Sequence, residues 1–135
     1  MLMRAELHVG RVLERIGPPL TQEAFSSFGR LLGTNAPIHD DPAYARATGF
    51  GGTIAQAMLL TAPYESWLCE LFGEEAWSRS GRIAVRFRSP AWEGDRVVMT
   101  MTVRDDAQGR CAFELESRCG DRTLLTGSAS IAFAS

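Results

Sequence analysis

Lysine is missing from this chain: all 14 cationic side chains are arginine, set against 16 aspartates and glutamates. The resulting formal charge of −2 leaves no basic footprint for nucleic acid. The exclusive use of arginine reads as a mark of a GC-rich coding sequence rather than of function. Long apolar runs are missing too, since none reaches the roughly 18 residues of a membrane-spanning helix. The stretch Met1 to His8 carries charge early and lacks the small-residue cleavage site of a secretory leader. Only three cysteines occur, Cys69, Cys111 and Cys119, odd in number, widely spaced and without metal-ligand spacing. Free thiols in a reducing compartment are expected, not disulfides or a zinc site. The expectation is a cytoplasmic protein with no cofactor, no metal, no membrane association and no nucleic-acid partner.

What is present is the composition of one folded unit. The chain has 135 residues, 45% of them apolar, and shows no internal repeat, low-complexity tract or linker, so residues 1–135 are expected to form a single domain. A short strand is expected near Val12 to Ile16, ahead of the Pro18-Pro19 break. Thr21 can cap a helix in which Phe25, Phe28, Leu31 and Leu32 recur at helical spacing until Gly33 stops it. Asp41-Pro42 reads as cap and first position of a short helix through Thr48. A long helix is expected from about Ile54 to Phe72, kinked by Pro63, after which the pattern changes to strand.

The strand pattern is an alternation of period two. Ile83, Val85 and Phe87 alternate with Arg82, Arg86 and Arg88; Val97, Met99, Met101 and Val103 alternate with Val98, Thr100 and Thr102; Cys111, Phe113 and Leu115 alternate with Glu114 and Glu116. Reversals fall at Glu93-Gly94-Asp95 and Ala107-Gln108-Gly109, and a last strand, Leu124 to Phe133, follows the Gly120-Asp121 turn. One long apolar helix followed by antiparallel strands is an α+β arrangement in which the sheet wraps the helix.

The chemistry is concentrated between Gly33 and Leu60. His39 lies in a polar loop stiffened by Pro37 and Pro42, shortly before Gly51, Gly52 and Thr53 lead into a helix of good formers. That places a titratable ring near backbone amides able to polarise a carbonyl. His8 lacks such a setting and reads as surface. Asp40 beside His39 offers a carboxylate partner for the ring, while Asp41 before Pro42 is more simply a cap. The arginines 82, 86 and 88 read either as a solvated strand face or as a holder of substrate phosphates. Trp67, Trp77, Trp92 and Tyr64 read as core or interface.

Phe28, Gly33, Pro37, Ile38, His39 and Ala45 stand at the spacing of a known signature, and Ile54-Ala55-Gln56-Ala57-Met58 follows a second one at the helix start. On these residues the chain resembles the MaoC-like branch of hotdog-fold proteins, the (R)-specific enoyl-CoA hydratases and 3-hydroxyacyl-thioester dehydratases. The resemblance extends into the second half, at Arg82 to Pro90 and Glu93 to Asp95. It implies a hotdog fold, an acyl thioester of coenzyme A or of an acyl carrier protein as substrate, and a dimer, of identical or different chains. Thr34 stands where the family carries its catalytic aspartate, Ala36 where it carries the motif asparagine, and Gln56-Ala57 where it carries a His-Gly pair.

Carried over residue by residue, the resemblance makes His39 the general base or acid, with Thr34 and Asn35 left to hold water by hydrogen bonding. The Ala57 amide would polarise the thioester, and Gln56 and Gly52 would complete the binding site; Gln56 reads equally as a cap for buried backbone. Three functions stay open. The first is a hydratase or dehydratase acting on acyl thioesters in fatty acid metabolism. The second is an acyl-binding or assembly subunit without efficient chemistry, and the third is another thioester reaction, hydrolysis or cyclisation.

Overall fold

The computed structural model describes residues 6–104 and 109–132. The elements run β1 (Val12–Ile16), α1 (Gln22–Leu32), α2 (Pro37–Asp40), α3 (Pro42–Ala47), α4 (Ala57–Phe72), α5 (Glu74–Ser80), β2 (Arg82–Phe87), β3 (Val98–Arg104), β4 (Arg110–Cys119) and β5 (Arg122–Ala132). The five strands form one sheet in the order β1-β3-β4-β5-β2, and every neighbouring pair is antiparallel. This is the hotdog arrangement, an α+β fold in which a single sheet cups a long helix.

Period-two alternation fixes which way each strand faces, because a one-residue slip would turn its whole apolar set to solvent. In β3 and β4 the buried positions are Met99, Met101, Val103, Cys111, Phe113, Leu115 and Ser117, and the residues between them, all polar but Ala112, are more exposed. The long helix answers with Leu60, Tyr64, Trp67 and Leu68, spaced for one helical face. Phe72 meets Phe113 edge-on with ring centroids 6.0 Å apart. Burying each large apolar side chain contributes about 1.5–3 kcal/mol. The polar tip of Tyr64 is satisfied inside this core, donating to the Glu116 carbonyl at 2.8 Å and pairing with the Ser117 hydroxyl at 2.6 Å. Burial pushes that phenol up to about 12, so it stays protonated at neutral pH.

Two expectations from the sequence need correction. The long helix starts at Ala57, not near Ile54, because residues 54 and 55 are held extended by other parts of the chain. The Ile54 amide donates to the Ile38 carbonyl at 3.1 Å, the Ala55 amide donates to the Ala91 carbonyl at 2.8 Å, and Ile54 bridges Trp92. The helix then runs through Pro63, which lies on its exposed side, to Phe72. The second correction is α5, which stands where strand was expected. Gly73, at φ 96°, ends α4, and Glu74, Glu75 and Arg79 then place charge of the favourable sign at the two ends of a seven-residue helix. The last strand begins at Arg122, two residues before the expected start. The Ala107-Gln108 part of one expected reversal, and the Phe133 end of the last strand, fall outside the described residues.

Candidate active site

His39, expected in a loop, lies in the four-residue helix α2, which starts at Pro37, and the segment that carries it is anchored at both ends before any side chain acts. Gly33 closes α1 in the left-handed region at φ 71°, and the Thr34 amide donates back to the Gly29 carbonyl at 2.9 Å. Two prolines then start the short helices α2 and α3, and Asp41 caps α3 by accepting from the Tyr44 amide at 3.1 Å. The His39 amide donates to the Ala36 carbonyl at 2.9 Å. Its carbonyl accepts from the Gln22 side chain at 2.8 Å, and Gln22 in turn accepts from the Thr53 hydroxyl.

The imidazole is also fixed. His39 Nδ1 lies 2.7 Å from the Ile54 carbonyl oxygen, which can only accept, so Nδ1 carries a proton and the neutral form of the ring holds its lone pair at Nε2. The ring is thus held by backbone rather than by Asp40, which forms no ion pair with it among the described residues. The geometry presents an imidazole ready to take a proton at Nε2.

A cavity of about 440 Å³ brings His39 together with Ala57, between Ile54, Ala55 and Leu60 on one side and residues 87–91 on the other. Its walls are largely apolar, and no carboxylate among the described residues lines it. Ala57 is the first residue of α4, and no side chain caps this end of the helix. The leading amides therefore carry the partial positive charge of the helix end. The wall at 87–91 is held from behind by Arg122. Its guanidinium donates to the Pro90 carbonyl at 2.9 Å and to Asp95 Oδ2 at 2.7 Å, and it lies 4.7 Å from the centre of the Trp92 ring. Its hydrogen bond to Asp95 raises the Arg122 pKa. Asp95 also accepts from the Trp92 amide at 2.9 Å. Arg122→Ala should cost about 2 kcal/mol, because it leaves the half-buried Asp95 carboxylate with the Trp92 amide but no cation and removes the side-chain donor to the Pro90 carbonyl. Thermal unfolding should fall by several degrees, and an unchanged transition would show that the wall stands without it.

The other expected site residues lie elsewhere. Thr34, Asn35 and Gln56 do not line this cavity, and Gly52 opens onto a separate hollow of about 300 Å³ beside Arg46, Phe50 and Trp92. Gln56 is buried, and its Nε2 donates to the carbonyls of Phe25 at 2.8 Å and Thr34 at 3.1 Å, tying α1 and the histidine loop to the start of α4. Thr34 Oγ1 and Gln56 Oε1 are buried without a partner among the described residues. Gln22, Gly29 and Arg122 were not singled out by the sequence, and Thr53, read there as leading into the helix, donates instead to Gln22; each acts through contacts between distant segments and leaves no local mark. No group of three or more metal-ligating side chains occurs among the described residues, and none of their helices is long and apolar enough to cross a membrane.

Gly29 shows how closely the loop is seated. A Cβ there would stand 2.9 Å from Asn35 Cα, which is backbone and cannot swing aside. Gly29→Ala should therefore displace the histidine loop, and the strain of about 1–3 kcal/mol should outweigh the roughly 1 kcal/mol gained in helix propensity. A variant that melts at or above the parent's temperature would contradict this packing.

A sheet cupping one long helix, with a histidine on the short helix α2 sharing a cavity with the first residue of that long helix, defines a protein of the hotdog class. The chain belongs to the MaoC like domain family, the hydratases and dehydratases of that class, and the match covers residues 5–119. A UPF0336 protein of Clavibacter michiganensis is 31% identical over 101 residues, spanning 70% of this chain and 68% of that protein. Among solved structures, the R-hydratase PhaJ1 of Pseudomonas aeruginosa is 25% identical with a TM-score of 0.81, over 97% of this chain and 85% of its own. The ChsH1-ChsH2 complex of Mycobacterium tuberculosis shares the fold at 18% identity, with a TM-score of 0.81 over 94% of this chain and 98% of that one.

Proposed function

We propose that this chain, folded as a single domain, hydrates an enoyl thioester or dehydrates a 3-hydroxyacyl thioester, with His39 as the proton-transfer group. The observation that carries the reading is one cavity holding both the His39 ring, with Nε2 free, and the leading residue of α4. Likeness to an R-hydratase over nearly the whole chain supports it. In the hydration direction the thioester carbonyl rests on the Ala57 amide. Nε2 takes a proton from water as the water oxygen bonds to C3, and the C2–C3 double bond shifts its electrons toward the carbonyl oxygen. The Ala57 amide stabilises that enolate charge, a kind of interaction worth about 3–4 kcal/mol. The imidazolium then returns a proton to C2, so that one water is added and no oxidant or metal is needed. The methyl group of Ala57 limits how closely the substrate approaches, but leaves the amide available.

We take the compartment to be the cytoplasm, where the thiols of Cys69, Cys111 and Cys119 stay reduced, and the assembly to be a dimer, because β1 and β2 are the edges of the sheet. Phe87, 46% exposed on β2, is apolar surface of the kind that a partner covers. A steady-state assay with short and medium enoyl-CoA substrates tests the reaction: production of the 3-hydroxyacyl thioester supports it. Light scattering that shows a monomer at micromolar concentration would count against the dimer.

A second reading has its own support. No carboxylate among the described residues lines the cavity, and Thr34 and Asn35 lie off it, which suits an acyl-binding subunit paired with a different, fully equipped chain. The ChsH1-ChsH2 complex is an assembly of two named components. Turnover that appears only on mixing with a chain carrying an Asp–His pair would favour this reading over the first.

A further inference from the structure

Arg82 and Arg86 on β2, with Arg88 just past its end, share the lack of a carboxylate partner among the described residues with Arg30, Arg46, Arg96 and Arg110, and differ from those in standing in a row. Arg15, Arg79, Arg104, Arg118 and Arg122 each have a carboxylate partner within the ion-pair range. Arg82, Arg86 and Arg88 have none among the described residues, although all three are exposed on one edge of the sheet. Residues two apart on a strand share a face, so the three guanidinium groups leave the sheet on the same side over about 20 Å.

The register brings two of them together. Arg86 lies directly across from Thr126, and Arg88 donates from Nε to the Thr126 hydroxyl at 3.0 Å. Arg86 and Arg88 are thus set on the same side of the sheet around one threonine, and like charges placed as neighbours repel until an anion joins them. The nearest acid on this face is Glu116, one strand further in across from Thr126, and it is engaged by Arg118 at 3.2 Å. Arg88 is at the same time part of the wall of the cavity that holds His39 and Ala57.

Resting on the thioester reading above, we propose that Arg86 and Arg88, extended by Arg82, bind the phosphates of a coenzyme A carrier as it leaves the cavity. Guanidinium forks match phosphate oxygens in charge and geometry, and a row of three suits several phosphates better than the single phosphodiester of a carrier-protein arm. Pairing of the β2 edge with another chain would use backbone groups in the plane of the sheet and would leave this side-chain face free.

The test is binding, which separates this site from the reaction. Affinities are measured for crotonyl-CoA, crotonyl-phosphopantetheine and crotonyl-pantetheine, with the parent protein and with Arg86→Gln/Arg88→Gln. The parent should prefer the CoA thioester over the pantetheine thioester by about 10- to 100-fold, with the phosphopantetheine form in between. The double variant should bring all three together, and added salt should do so in part. The ratio is internal to each protein, so general damage to the cavity cannot imitate the result. Equal affinities in the parent, a ratio that the variant leaves intact, or phosphopantetheine binding as tightly as CoA would each overturn the proposal. A protein that shows the preference without hydrating the substrate would fail the proposed reaction and keep the phosphate site.

Discussion

His39→Ala lowers enoyl-thioester hydration by about 10²- to 10⁴-fold, the usual contribution of one positioned acid or base. The effect should fall on kcat more than on KM, because the cavity keeps its apolar walls and the Ala57 amide. The fold should survive, since the ring is half-buried and its loop is also held by Gln22 and by backbone hydrogen bonds. Loss of the Nδ1 contact to the Ile54 carbonyl should cost about 1 kcal/mol. Turnover within a factor of two of the parent in a folded His39→Ala protein would remove His39 from the mechanism.

Thr34→Asp with Ala36→Asn raises hydration by about 10- to 100-fold, within the same range for a positioned acid or base. These two substitutions rebuild the residues that the MaoC signature carries before the histidine. A hydroxyl at Thr34 cannot act as a base near neutral pH, and Thr34 does not line the cavity; the gain therefore requires the rebuilt loop to turn the new carboxylate into it, where it can share the water with His39. The site also receives the new group at a cost, because Thr34 Oγ1 is buried and without a partner among the described residues. The variant should therefore be less stable as well as faster, and thermal unfolding and turnover should move in opposite directions. No gain in a folded double variant would move the weight to the binding-subunit reading or to a different thioester reaction.

The strands were legible because one face of the sheet is buried. Met99, Met101 and Val103 in β3, and Cys111, Phe113 and Leu115 in β4, alternate with polar residues, and burial follows that alternation. The caps of α1 and α3 were equally local: Thr21 accepts from the Ala24 amide and Asp41 from the Tyr44 amide. The start of α4 was not, since Ile54 and Ala55 read as helix formers and are drawn into extended pairing by Ile38 and Ala91. Local propensity lost there to contacts that no window of sequence contains. Helix α5 was hidden for a different reason, being short, and placed between a glycine and a strand.

At the site, the sequence marked the histidine loop and the start of the helix, and the fold brings His39 and Ala57 to one cavity. It could not mark the residues that hold them. Gln22 links His39 to Thr53, and Gln56 links Phe25 and Thr34 to the helix start, through hydrogen bonds that span 17 to 31 positions in the chain. Thr34 and Asn35 were drawn to the site by their place in a motif, whereas the backbone carries both away from the cavity lining.

The most direct test is a crystal structure with an unreactive enoyl-thioester analogue bound. The account predicts the thioester oxygen within hydrogen-bond distance of the Ala57 amide, with the carbon that corresponds to C3 facing Nε2 of His39. An analogue seated in another hollow, or held in this cavity with its acyl chain directed away from His39, would contradict it.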